Sequence, residues 1–206
     1  MAACRRYTWD GWLWLGALLL VNSGLLLGRG PAAALAFDPG KVAAGEWWRL
    51  LSWTLVHVSP YHLLLDGSAF LLLYLGLEEK QAGRKLLLVA ASALGALLLP
   101  VLMDGRLRQV GLCGLSGVAH GLAVISALEM LHHRSQKTLG RLLLGGLALK
   151  LAWELGSGQV LLQGLHLGDI GLPIVATHVG GALGGLLGYA GLKSGLNPLW
   201  RRRRHG

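Results

Sequence analysis

The stretch KLLLVAASALGALLLPVLM, residues 85–103, decides the class of fold. Past Lys85 it holds no ionisable side chain. As a helix rising about 1.5 Å per residue, it approaches the roughly 30 Å width of a bilayer's hydrocarbon core. Five further stretches are of the same kind, 11–28, 61–77, 111–131, 140–156 and 171–192, each mostly apolar and within the span of roughly 17 to 25 residues that a crossing needs. With 206 residues, 53% of them hydrophobic and 14% charged, and a mean hydropathy of +0.54, the chain is too apolar for an ordinary soluble domain. The reading is an all-α membrane protein of six transmembrane helices, one domain over 1–206, with its core at 46–192 and a basic tail at 193–206.

The segments between the stretches are short and show no change of composition that would mark a second folded unit. The longest, 29–60, carries Trp47, Trp48 and Trp53, rings that favour the membrane interface, which predicts a loop lying along the surface. Arg5 and Arg6 precede the apolar run Trp12–Leu27 much as in a secretory signal. No small-residue cleavage site follows, and the run is long for such a signal, so it is read as the first span.

A formal charge of +9 and a pI of 10.2 raise the question of nucleic acid, and the positions of the charges argue against it. Arg5, Arg6, Lys80, Arg84, Lys85, Arg134, Lys137, Arg141, Lys193 and Arg201–Arg204 fall on one side of a six-span arrangement. Arg29, Lys41, Arg49, Arg106 and Arg108 fall on the other, and Lys150 lies inside a span. The positive-inside rule then places both termini in the cytoplasm, with Arg201–Arg204 as an anchor to anionic lipid. Cys4 and Cys113 fall on opposite sides of the membrane, which argues against a disulfide between them.

An ionisable group is costly in hydrocarbon, which makes His62, Asp66, His120, Lys150, Glu154 and His178 functional candidates. Spans two, four and six all run inward from the side away from the cytoplasm. His62 and Asp66 stand near the start of span two, Ser116 early in span four and His178 early in span six. At helical rise these positions share a depth of roughly 5 to 12 Å, so polar groups from three helices can meet. Buried polar groups in membrane bundles also cluster simply to satisfy one another, and the shared depth alone leaves both readings open.

Glycines sharpen the case. Gly114 and Gly117 flank Ser116, leaving its hydroxyl and the nearby amides open to an incoming carbonyl. Gly117 and Gly121 in span four, like Gly181 and Gly185 in span six, have the small-xxx-small spacing that lets helices pack closely. That contact would bring His178 within reach of Ser116, whose hydroxyl is a weak nucleophile unless a base takes its proton. No carboxylate is placed beside His178 by this reasoning, which predicts a Ser-His pair without a third orienting group. Lys150 and Glu154, four apart in span five, are read as a structural ion pair. His57, His132, His133, His166 and His205 fall in loops or at ends and are read as solvated.

From Trp47 to Tyr189 the chain resembles the rhomboid family of intramembrane serine proteases. The residues that carry the resemblance are Glu46-Trp47-Trp48-Arg49-Leu50-Leu51-Ser52, His62-Leu63-Leu64-Leu65-Asp66, Gly114-Leu115-Ser116-Gly117, and His178 with glycine three and seven residues on. The resemblance implies a six-helix core open to water from the outer face, Ser116 as nucleophile and His178 as general base. It also implies an oxyanion hole made by His62 and the Ser116 backbone N–H. Asp66 stands where the family usually has asparagine. An ionised carboxylate cannot donate to an oxyanion, so Asp66 helps either protonated or by orienting His62. His120 stands where many rhomboids carry an aromatic that packs on the catalytic histidine. Packing on His178 and satisfaction by a backbone carbonyl are both open to it.

Gly-Leu-Ser-Gly-Val-Ala-His-Gly at 114–121 and Trp153-Glu154 look like the rhombosortase subgroup. That likeness implies a bacterial inner-membrane enzyme, opening to the periplasm. It would remove the C-terminal GlyGly-type transmembrane sorting tail of exported proteins, with transfer of the new terminus to a lipid-derived group as an allowed second outcome. The expected partners are membrane-anchored protein substrates and the bilayer; no cofactor, metal or nucleic acid is expected. Two rivals stand beside the enzyme. One is a catalytically silent rhomboid-like protein that binds transmembrane helices, which Asp66 favours. The other is a metal transporter using His62, Asp66, His120 and His178, which leaves Ser116 and its glycines without a purpose.

Overall fold

Helices occupy all six predicted stretches in the computed structural model, which describes residues 9–103, 105, 107–161 and 167–194. In chain order they are α1 (Trp9–Val21), α2 (Ser23–Leu26), α3 (Pro39–Ala43), α4 (Arg49–Ser52) with a 3-10 turn at Trp53–Leu55, α5 (Pro60–Gly76), α6 (Ala82–Met103), α7 (Leu107–Val110), α8 (Ser116–His132), α9 (Lys137–Ser157) and α10 (Val175–Lys193). Among the described residues there is no strand, only an isolated bridge in which Phe37 and Leu112 exchange backbone hydrogen bonds of 2.9 and 3.0 Å.

The helices are less uniform than six equal spans. Among the described residues only α6 is by itself both long and apolar enough to cross a bilayer. The segment Arg49–Leu55 and α5 qualify as a pair, bent by 96° where they join. The first stretch divides into α1, of 13 residues, and α2. At the break, Asn22 donates from its amide to the carbonyls of Leu18 and Leu55, both at 2.8 Å, and accepts the His57 N–H at 3.0 Å. The α9 helix carries Arg141, Lys150 and Glu154, and α10 is diluted by glycine. Cys4, Arg5, Arg6, Arg106, His166, Arg201–Arg204 and His205 lie outside the described residues.

Caps and prolines set the helix starts. Asp38 accepts the N–H groups of Gly40 and Lys41, with Pro39 in the first helical position of α3. Ser59 does the same for α5, its Oγ accepting the His62 N–H at 2.9 Å ahead of Pro60. Gly158, at φ 68°, ends α9 in the left-handed conformation that glycine tolerates best.

The packing gathers into two units, neither of them a continuous stretch of chain. The first comprises 1–76, 106–115 and 165–172. In it the Trp14 ring stands edge-on to Phe70 at 5.0 Å, and the Tyr74 hydroxyl donates to buried Asp10 at 2.7 Å. Buried Arg49 pairs with Glu46 at 2.6 Å and donates to the carbonyls of Ala33 and Ala36. The 29–60 loop is thereby tied to α4. Trp47 and Trp48 are exposed, as an interfacial loop requires, but Trp53 is buried, so only two of the three rings predicted at the interface are available to it.

The second unit comprises 77–105, 116–164 and 173–206. Its centre is α10, held between α6 and α8 by two glycine seams. Toward α8, a Cβ on Gly181 or Gly185 would overlap the carbonyl oxygens of Gly117 and Gly121. This is the close approach that the spacing predicts. A second seam runs toward α6, where a Cβ on Gly180 or Gly184 would overlap the carbonyl oxygens of Gly95 and Ala91. In α9, Gly140 makes the same allowance for α8, against the Ala127 carbonyl.

Candidate functional site

Ser116 is the first residue of α8, where the opening amides of a helix have no intrahelical acceptor. A methyl group on its neighbour Gly117 would lie 2.8 Å from the carbonyl oxygen of Thr177, the residue before His178. Ser116 and His178 therefore stand on facing turns of α8 and α10.

His178 is buried and its Nδ1 lies 2.8 Å from Oε2 of Glu154. Glu154 is 0% exposed. Its Oε1 accepts from the Lys150 ammonium at 2.5 Å and from the Leu161 N–H at 3.1 Å. Lys150 Nζ also lies 2.9 Å from Nε2 of His120, whose Nδ1 is 2.7 Å from the Ser116 carbonyl oxygen. A nitrogen facing a carbonyl must carry the proton, so Nδ1–H donates and Nε2 offers its lone pair to the ammonium. Both alternatives for His120 hold at once: it is satisfied by a backbone carbonyl, and its ring stacks on that of His178 at 4.2 Å and 14°.

The expectation of no carboxylate beside His178 is overturned by Glu154. Glu154 stands close to the end of α9, and that end meets the beginning of α10, so a comparison confined to the beginnings of the second, fourth and sixth stretches passes over it. The Lys150–Glu154 pair is present as expected, with His178 as a further partner.

Ligand atoms of His120, Glu154 and His178 lie within 4.8 Å of one another, a grouping able to hold a metal ion. The Lys150 ammonium already engages two of the three, and its charge opposes a cation there. The donor set fits an internal lysine better than a metal.

The remaining predicted residues gather in the first unit. The Leu115 N–H donates to Asp66 Oδ2 at 3.0 Å, and His62 Nε2 stands 3.0 Å from the same oxygen. Nδ1 of His62 faces the Val58 N–H at 3.5 Å. Asp66 thus orients His62, one of the two roles considered for it, and holds the backbone one residue before Ser116. Donation by His62 to an oxyanion requires its Nε2–H to be shared with Asp66 or released by it. Gly114 sits at φ 102°, and a Cβ there would lie 2.9 Å from Asp66 Oδ2 and 3.0 Å from His62 Nε2. The position accepts only glycine without strain.

Asp66→Asn keeps an oxygen for the Leu115 N–H and is expected to stay within about tenfold of wild-type cleavage. Asp66→Ala leaves buried donors without an acceptor, at a cost of about 1–3 kcal/mol. It should lower both heat stability and rate, measured side by side in detergent.

His57 departs from its solvated reading. It is 0% exposed, with Nδ1 3.2 Å from the Leu55 carbonyl oxygen and Nε2 3.8 Å from Asp66 Oδ2. Burial pushes its pKa down to about 4 from 6.5. The unfolded chain therefore takes up this proton first, so His57's contribution is intact above pH 6.5 and is lost as the pH falls through that value toward 4. Thermal unfolding measured across this window should show an acid loss that His57→Gln diminishes. His132 and His133 are exposed as expected, His133 facing Glu78.

Compared with known proteins, the chain matches the Rhomboid domain over residues 44–194. The comparison with individually curated proteins gives no match.

Proposed function

The chain belongs to the rhomboid family, membrane proteins that act as intramembrane serine proteases, and on that premise we propose that it is an active endopeptidase using Ser116 and His178. The proposed frame is six spans with both termini cytoplasmic and the site opening to the periplasm from a bacterial inner membrane. Ser116 Oγ attacks the scissile carbonyl carbon while its proton passes to Nε2 of His178. The tetrahedral oxyanion is met by the Ser116 N–H and by His62. Collapse breaks the C–N bond, and His178 returns the proton to the leaving amine. Water, deprotonated in turn by His178, or a lipid-derived nucleophile then releases the acyl group from Ser116.

The observation that supports this most is the meeting of α8 and α10 at Gly117 and Thr177, which sets serine and histidine on facing turns. The likeness of residues 114–121 to rhombosortases supports the finer reading, in which the substrate is an exported protein ending in a GlyGly-type motif, one transmembrane helix and a basic end. Co-expression with such a tagged substrate tests it. Shortening by wild type is expected, and its absence with this substrate removes the subgroup assignment. Asp66 favours the second reading, a silent protein that binds transmembrane helices. That protein would bind the tail and leave it intact.

A further inference from the structure

Rhomboid catalysis resting on a serine and a histidine leaves the second nitrogen of the histidine to whatever lies beside it. Here that neighbour is a fully buried carboxylate. We infer that Glu154 is a third, positioning member of the site, holding His178 in the tautomer and orientation that catalysis requires; this rests on the proposed Ser116–His178 chemistry.

Four observations carry it. Glu154 Oε2 lies 2.8 Å from Nδ1 of His178, which places the proton on Nδ1 and leaves Nε2 as the nitrogen with the basic lone pair. Both carboxylate oxygens are occupied, Oε1 by Lys150 and by the Leu161 N–H, so the group is fastened from two sides. Three donors on two oxygens match an ionised, acceptor-only carboxylate. Finally, Lys150 is anchored in its turn by His120, which bonds to the Ser116 carbonyl and stacks on His178. The chain of contacts closes on itself, from His178 through Glu154, Lys150 and His120 back to His178.

The arrangement answers a specific problem of membrane catalysis. When His178 takes the serine proton it becomes an imidazolium in a poorly solvated place, and Glu154 is the counter-charge already there. Between turnovers Lys150 balances that carboxylate, so the resting site holds one ammonium against one carboxylate. Glu154 touches neither substrate nor the reacting atoms, and its effect passes through His178.

The test uses the full chain in detergent with a cleavable tagged substrate, comparing wild type with Glu154→Gln, Glu154→Asp, the double variant Glu154→Gln/Lys150→Met, Ser116→Ala and His178→Ala. Glu154→Gln is expected to lower kcat by about 10²- to 10⁴-fold, the upper figure being that for the wrong histidine tautomer in a serine protease triad. KM should stay within about twofold, since substrate contacts are untouched. Glu154→Asp should recover part of kcat. The double variant removes both charges together, so it keeps the inference testable if Glu154→Gln alone fails to accumulate. It should fold and remain slow. Wild-type kcat in either folded Gln variant, with Ser116→Ala inactive, overturns the role of Glu154 and leaves the Ser-His reading standing. Loss expressed only as a raised KM, or only as lowered heat stability, also overturns it. Undiminished cleavage by Ser116→Ala overturns the underlying reading, and this inference with it.

Discussion

Replacing Ser116 or His178 with alanine is expected to abolish substrate cleavage, with a fall in rate of at least about 10³-fold for either change. In the proposed mechanism each change removes one half of a single proton-transfer unit. Ser116→Ala takes away the oxygen that bonds to carbon, and His178→Ala the only base on the facing turn of α10. Because they act as one device, the double variant is expected to be no slower than either single variant. Heat stability should barely change for Ser116→Ala, which deletes one oxygen from a half-buried position at a helix start. It should fall more for His178→Ala, which strips buried Glu154 of a partner. A tagged substrate followed by immunoblot reads the rates, and scanning fluorimetry in detergent separates chemistry from folding.

The second large effect lies in packing. Gly181→Val places a branched side chain where even a Cβ would overlap the Gly117 carbonyl oxygen. Backbone meets backbone there, so no side chain is available to move aside. Overpacking of this kind costs about 3 kcal/mol or more, and for a chain of this length that corresponds to a Tm lower by roughly 6 °C or more. Activity should vanish as well, although Ser116 and His178 are both present, because the seam sets their separation. Gly146→Ala is the matched control. That glycine is exposed on α9 with nothing within 4 Å, and alanine there should leave Tm unchanged or raise it slightly. Equal behaviour of the two variants would show that the seam does not govern the fold.

Much of this was legible in the residues themselves. Apolar runs located the long helices among the described residues, although only α6 is by itself both long and apolar enough to cross a bilayer. The Gly117–Gly121 and Gly181–Gly185 spacings anticipated the α8–α10 contact, since small residues leave a readable stripe. The seam toward α6 was missed because Gly95 stands alone in an alanine- and leucine-rich run, with Ala91 as its partner and no stripe of glycines. Helix ends were less legible than helix cores. The break at Asn22 and the burial of Trp53 depend on contacts among distant loops that no local pattern encodes. His57 was misjudged for the same reason, as a loop position says nothing about what folds over it. Glu154 is the instructive case. Its spacing from Lys150 along α9 encodes one partner, whereas its second partner, His178, comes from a different helix that no local spacing encodes.

The central claim is that Ser116 is a nucleophile activated by His178. The direct measurement is reaction of the intact protein with an alkyl fluorophosphonate, which bonds to a serine oxygen and expels fluoride only when a neighbouring base activates that oxygen, followed by mass spectrometry of the labelled peptide. The account predicts one adduct, on Ser116, abolished in His178→Ala and slowed in Glu154→Gln. An adduct on another residue, or labelling of Ser116 at the same rate without His178, would contradict it.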